Sequence, residues 1–226
     1  MAVRCNRIIH YRSKEPGSKQ HPVVPGYTNI NATSGNSRWK GLSPMKLGPF
    51  TYKEKKVPLT WYPDGIHPGF TYAGADEQTI LCQNFENLWQ GSKVYPRDLG
   101  PDGLVQPSFY ERRKKMVFDP QPHRRALPKK EGLPHCAYWN GHLWNYLESR
   151  VMYCTLYAGL VQNTPEYQEL RALVTGGTNV QILGYDGQDL PITAESMAAA
   201  YKDPSKPFGH ELVLCCLLTG LSPWSV

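Results

Sequence analysis

Glu86, Gln90 and Lys93 are spaced i, i+4, i+7, so a helix carrying them sets an acid, an amide and a base in one row. A carboxylate in such a row can orient or deprotonate water, or stabilise a cationic sugar, and a nearby ammonium favours its ionised form. Asp186 follows the apolar run 179–185 and supplies a second carboxylate that a cleft could receive. Two carboxylates facing a sugar are what cleavage of a glycosidic bond needs. The ordinary alternatives are a solvated polar row on a surface helix and an Asp-Gly turn after a strand.

The net charge is +6, and the excess is local: Arg112, Arg113, Lys114, Lys115, Arg124, Arg125, Lys129 and Lys130 fall between Glu111 and Glu131. Such a stripe can neutralise phosphates of a nucleic acid or a dinucleotide-like substrate, or simply form a solvated face. Other chemistries leave no trace: there is no P-loop, G-x-S-x-G, H-E-x-x-H or G-x-G-x-x-G. The seven His do not cluster and the six Cys form no C-x-x-C pair, so neither a metal nor another cofactor is expected. The cysteines read as reduced structural thiols, Cys215 and Cys216 lying inside the apolar run 212–218.

Positioning these residues falls to a chain of 226 residues, 40% hydrophobic and 12% aromatic, which suits one folded domain over 1–226. With 20 Gly and 20 Pro, much of it belongs in turns and ordered loops, above all the irregular region at about 1–50. No apolar run approaches the roughly 20 residues of a membrane span, and the first ten residues hold no apolar signal core, so a cytoplasmic protein is expected. The patterns predict strands at 7–12, 57–62 and 179–185, the last followed by the turn at Asp186-Gly187. Helices are expected from the cap Asn84 to before Pro96, over about 138–162, after Thr164-Pro165 as far as Gly176, at 194–201 and at 210–219.

In order along the chain, several blocks resemble the NADAR (YbiA-like) N-glycosidase family. Gly41-Leu42-Ser43-Pro44-Met45 and Gly48-Pro49-Phe50 resemble the family's G-x-L-S-N-F and P-F. Glu86, Gln90 and Lys93 match E-x-x-x-Q-x-x-K. Trp144, Met152 and Gln162-Asn163 resemble W-x7-M-x9-Q-N, and Leu173 with Thr175-Gly176 resembles L-L-x-T-G. Gln181 and Asp186 stand at E-x-x-x-x-D, and 209–218 resembles the closing G-x-N-x-L-G-x-x-L-M helix. Gln181 therefore replaces a glutamate, Pro44 replaces an Asn, and the W-G that follows the family's aspartate is absent.

The resemblance implies an α+β fold, a single compact domain mostly helical with a small sheet, and metal-free hydrolysis of the bond between a ribose and a nitrogen base or amine. The ribose would be of ADP-ribose or phosphoribosyl type, in a nucleotide-like small molecule or an ADP-ribosylated nucleic acid. On this reading Glu86 and Asp186 are catalytic, and Ser43, Trp89, Gln90, Lys93, Trp144 and Gln181 bind substrate. Arg112, Arg113, Arg124 and Arg125 hold phosphate. The alternatives are a non-catalytic binder of ADP-ribose or nucleic acid, and a nucleic-acid-modifying enzyme that transfers the glycosyl group instead of hydrolysing it.

Overall fold

The structure, a computed structural model, describes residues 8–12, 24–32, 37–55, 77–184 and 190–225. The expected strand at 57–62 and the turn at Asp186 lie outside them. Six α-helices and eight strands in small sheets are described, an α+β fold with more helix than strand. The chain divides into a first unit, Met1–Lys46 with Tyr153–Val226, and a second, Leu47–Met152.

In the first unit, β8 (Val180–Gly184) lies between β1 (Ile8–Arg12) and β2 (Thr28–Asn31), and both neighbours run parallel to it. Every residue of β8 is buried, as the central strand of a parallel sheet requires, and Gln181 is its one polar side chain. Against β1 and β8 rests α6 (His210–Thr219), whose run from Leu212 to Cys216 is buried and whose end is capped by Gly220 at φ 72°. The Thr164 cap matches the sequence signal. Thr164 accepts from the Tyr167 N–H at the start of α4 (Pro165–Thr175), and Thr193 accepts from the Ser196 N–H at the start of α5 (Ala194–Lys202).

The second unit holds two antiparallel sheets. β3 (Phe50–Lys55) pairs with β4 (Glu77–Cys82), while β5 (Lys93–Val94), β6 (Cys136–Trp139) and β7 (His142–Trp144) form the other in that order. Val94, Val105, Phe109, Cys136, Tyr138 and Leu143 make a core beneath it. Two helices complete the unit: α1 (Phe85–Gly91), capped by Asn84, and α2 (Pro107–Phe118), which packs on α1.

Three differences from the sequence expectation have local causes. The helix expected over 84–95 ends at Gly91, and Lys93 and Val94 turn into β5. The long helix expected from 138 begins only at Tyr146, as α3 (Tyr146–Val161): residues 138–144 belong instead to the β6–β7 hairpin, which closes on Asn140-Gly141 with φ 45° and 76°. Asn-Gly is the residue pair that favours such a turn. Leu147 and Val151, at apolar positions of the expected helical spacing, are exposed. Finally, α2 occupies the basic segment, where charged residues obscure its apolar side of Phe109, Met116 and Val117. No described helix is long and apolar enough to cross a membrane.

Candidate active site

The short helix α1 and the first residue of β5 carry the polar row. Gln90 Nε2 donates to Glu86 Oε1 at 2.8 Å, and Lys93 Nζ donates to Gln90 Oε1 at 2.8 Å. Gln90 is 7% exposed, and its carboxamide has one orientation that serves both neighbours, oxygen toward the ammonium and nitrogen toward the carboxylate. Leaving the helix at Ser92 does not take Lys93 out of the row, because its long stem reaches back one turn. Glu86 is engaged through Oε1 alone among the described residues.

Aromatic rings support this row. Trp89 stacks on the buried Trp139 with centroids 6.0 Å apart, and Lys93 Nζ lies 5.1 Å from the Trp89 ring centre. Burial pulls the Lys93 ammonium down to about 8, against the pull of Glu86 and with the help of the positive Arg125. Trp144, by contrast, is tied into the hairpin: its Nε1 donates to the Trp139 carbonyl at 3.2 Å and its ring meets His142 edge-on.

The four arginines have separate surroundings. Arg113 is 4% exposed and donates from Nη1 and Nη2 to Glu54 Oε1 and Oε2, at 2.6 and 2.8 Å. Its Cζ lies 5.0 Å from the Tyr138 ring centre, so its charge is occupied inside the unit rather than offered to a phosphate. Arg112 is half-buried; its Nη2 donates to Asp98 Oδ2 at 2.6 Å and to the Lys93 carbonyl at 3.1 Å, which braces β5. Arg124 and Arg125 are exposed and follow a loop held to α1 by Asn87. The charge of Arg125 acts on both Lys93 and Tyr95.

Ser43 and Gln181 belong to the first unit. Ser43 is buried in the turn after Leu42, its Oγ accepting from the Met45 N–H at 3.4 Å. Gln181 is fully buried and its Oε1 accepts from the Val24 N–H at 3.1 Å. Asp186 lies outside the described residues. Among the described residues, no three His, Cys, Asp or Glu side chains gather as metal ligands. Cys82, Cys136 and Cys216 are buried with thiols pushed up to about 12 by desolvation, unsuited to nucleophilic chemistry.

The residues of this region that sequence reasoning overlooked are Glu54, Asn87 and Asp98, each buried and each bonded to a partner 14 or more positions away. Local spacing carries no signal for such pairs. No protein-family model, curated protein or solved structure matches the chain.

Proposed function

We propose that the protein is an N-glycosidase-like hydrolase, a cytoplasmic enzyme that cleaves the bond between a ribose of ADP-ribose or phosphoribosyl type and a nitrogen base or amine. The observation that carries this reading is the bonded row Glu86–Gln90–Lys93, which puts a carboxylate with one unengaged oxygen beside a half-buried cation. Glu86 orients water toward the anomeric carbon and takes up its proton as the new C–O bond forms. The C–N bond breaks, and the leaving nitrogen departs with its electron pair and acquires a proton. The developing positive charge on the sugar is greatest in the transition state, so a fixed carboxylate there lowers the barrier. Asp186 stands at the aspartate position of the NADAR-like pattern in the sequence. Gln90 holds the carboxylate in place, and Lys93 with Arg125 receives phosphate.

One observation favours a second reading, a non-catalytic binder of the same ligands. Where the family pattern has glutamate, Gln181 is buried and its oxygen accepts from Val24, so that position adds no charge. Mass spectrometry of products from ADP-ribosyl-guanine DNA, NAD and ribosylamino compounds separates the two. Free base or amine released by the wild type and not by Glu86→Gln supports the hydrolase. No release from any substrate, with ADP-ribose still bound, selects the binder.

A further inference from the structure

Asn87 follows Glu86 on α1 and is fully buried, yet its side chain serves a different part of the chain. Nδ2 donates to the carbonyls of Asp119 and Gln121, both at 2.8 Å, and Oδ1 accepts from the His123 N–H at 2.7 Å. One carboxamide thus holds three backbone groups of one loop, a task that needs two donors and an acceptor on a short stem. Asp would turn a second acceptor toward two carbonyls, and an apolar residue would leave three backbone groups without this partner. The loop is also stiffened from within: Asp119 Oδ1 accepts from the Gln121 N–H at 2.8 Å, and Asp119 Oδ2 lies 2.7 Å from His123 Nε2. The next residues are Arg124 and Arg125, and the positive charge of Arg125 bears on Lys93 and Tyr95.

We infer that Asn87 is a positioning residue which, by clamping 119–123 to the helix that carries Glu86 and Gln90, holds the adjoining Arg125 in place to receive, together with Lys93, the phosphates of a nucleotide-like substrate. This rests on the proposed function for its ligand and on the hydrogen bonds for its geometry. An exposed arginine on a loose loop would lose most of its attraction to the entropy of ordering it, whereas one on an anchored loop keeps it. The clamp also joins phosphate binding to the placement of Glu86, since both depend on α1.

The test is a double-mutant cycle on Asn87→Ser and Arg125→Met, read by calorimetric binding of ADP-ribose at low and high salt. Each single variant is expected to weaken binding about tenfold, and the double variant no more than Arg125→Met alone, because both remove one interaction. Losses that multiply to about a hundredfold, or wild-type affinity in Asn87→Ser, would overturn the inference. A second readout needs no ligand: competitive acetylation of Lys93, followed by mass spectrometry across pH. Withdrawing Arg125 raises the pH at which Lys93 becomes reactive, equally in Asn87→Ser and Arg125→Met. No rise in Asn87→Ser refutes the clamp. If the wild type does not bind ADP-ribose while the acetylation shift is present, the substrate class falls and the clamp stands. Should Asn87→Ser fail to fold, His123→Pro deletes one of the three bonds without touching α1 and is expected to shift both readouts in the same direction; an unmoved affinity and an unmoved Lys93 in that variant would overturn the inference.

Discussion

Two of the acid–base groupings within the second unit are built to opposite ends. Glu54 and Arg113 meet through two parallel hydrogen bonds, Gln78 Nε2 adds a third to Glu54 Oε1 at 3.1 Å, and Ser92 Oγ accepts from Arg113 Nε at 3.4 Å. Both side chains are almost fully buried. Glu86 and Lys93 do not touch; the Gln90 carboxamide stands between them, donating to Glu86 and accepting from Lys93. The first grouping satisfies itself and ties β3 to α2. The second holds its charges apart and leaves capacity on both, which suits a group that must meet something else. Each grouping sets a glutamate against a basic side chain, and the partner geometry separates scaffold from candidate site.

Replacements should divide along the same line. The largest effect expected is on turnover: Glu86→Gln keeps shape and burial while removing the charge, and should cut glycosidic hydrolysis about 10²–10⁴-fold with little change in melting temperature, as product formation and calorimetry would record. Glu54→Gln at a comparable rate to the wild type would complete the contrast. Next comes stability. Arg113→Met leaves Glu54 buried and unpaired, and should cost about 3–5 kcal/mol in chemical denaturation, whereas Glu54→Leu with Arg113→Met should regain most of it. Arg113→Lys is not conservative here, since an ammonium cannot make both parallel bonds.

A smaller effect with the opposite sign is expected at Lys93. Its pKa falls from 10.5 unfolded to about 8 folded, so the native state releases a proton that the unfolded chain keeps between those values. Stability therefore carries a penalty below about pH 8 that is relieved as pH rises toward 10.5. Lys93→Met should remove that dependence and raise stability at pH 7 by about 1–2 kcal/mol, while weakening ADP-ribose binding. Binding by the wild type should decline as pH rises through about 8, where the ammonium is lost. The smallest change belongs to Arg124→Ala and Lys129→Ala on exposed parts of the basic segment: within about 0.5 kcal/mol in stability and, for Lys129, no change in binding.

The parts of the fold legible in the sequence are those set by neighbours in the chain. Thr164-Pro165 and Asn84 announce their helices because a cap acts within three residues, and the buried β8 reads as an apolar run. The row Glu86–Gln90–Lys93 is legible for the same reason, even though Lys93 belongs to a strand. Helix α2 escapes because Arg113 fills a buried position that would normally be apolar, its cost met by a glutamate 59 positions earlier. The Asn140-Gly141 pair favours a hairpin, but the helical spacing of Leu143, Leu147 and Val151 competes with it in the sequence, and two of those three are exposed. Asn87 reads as an ordinary helix residue until the loop it holds comes into view, 32 to 36 positions further on.

The measurement that bears most directly on the central claim is mass-spectrometric detection of free guanine from ADP-ribosyl-guanine DNA, with wild type, Glu86→Gln and Glu54→Gln assayed side by side and each first shown to melt cooperatively. The account predicts release by the wild type and by folded Glu54→Gln, and none by Glu86→Gln. Equal release by wild type and Glu86→Gln would contradict it.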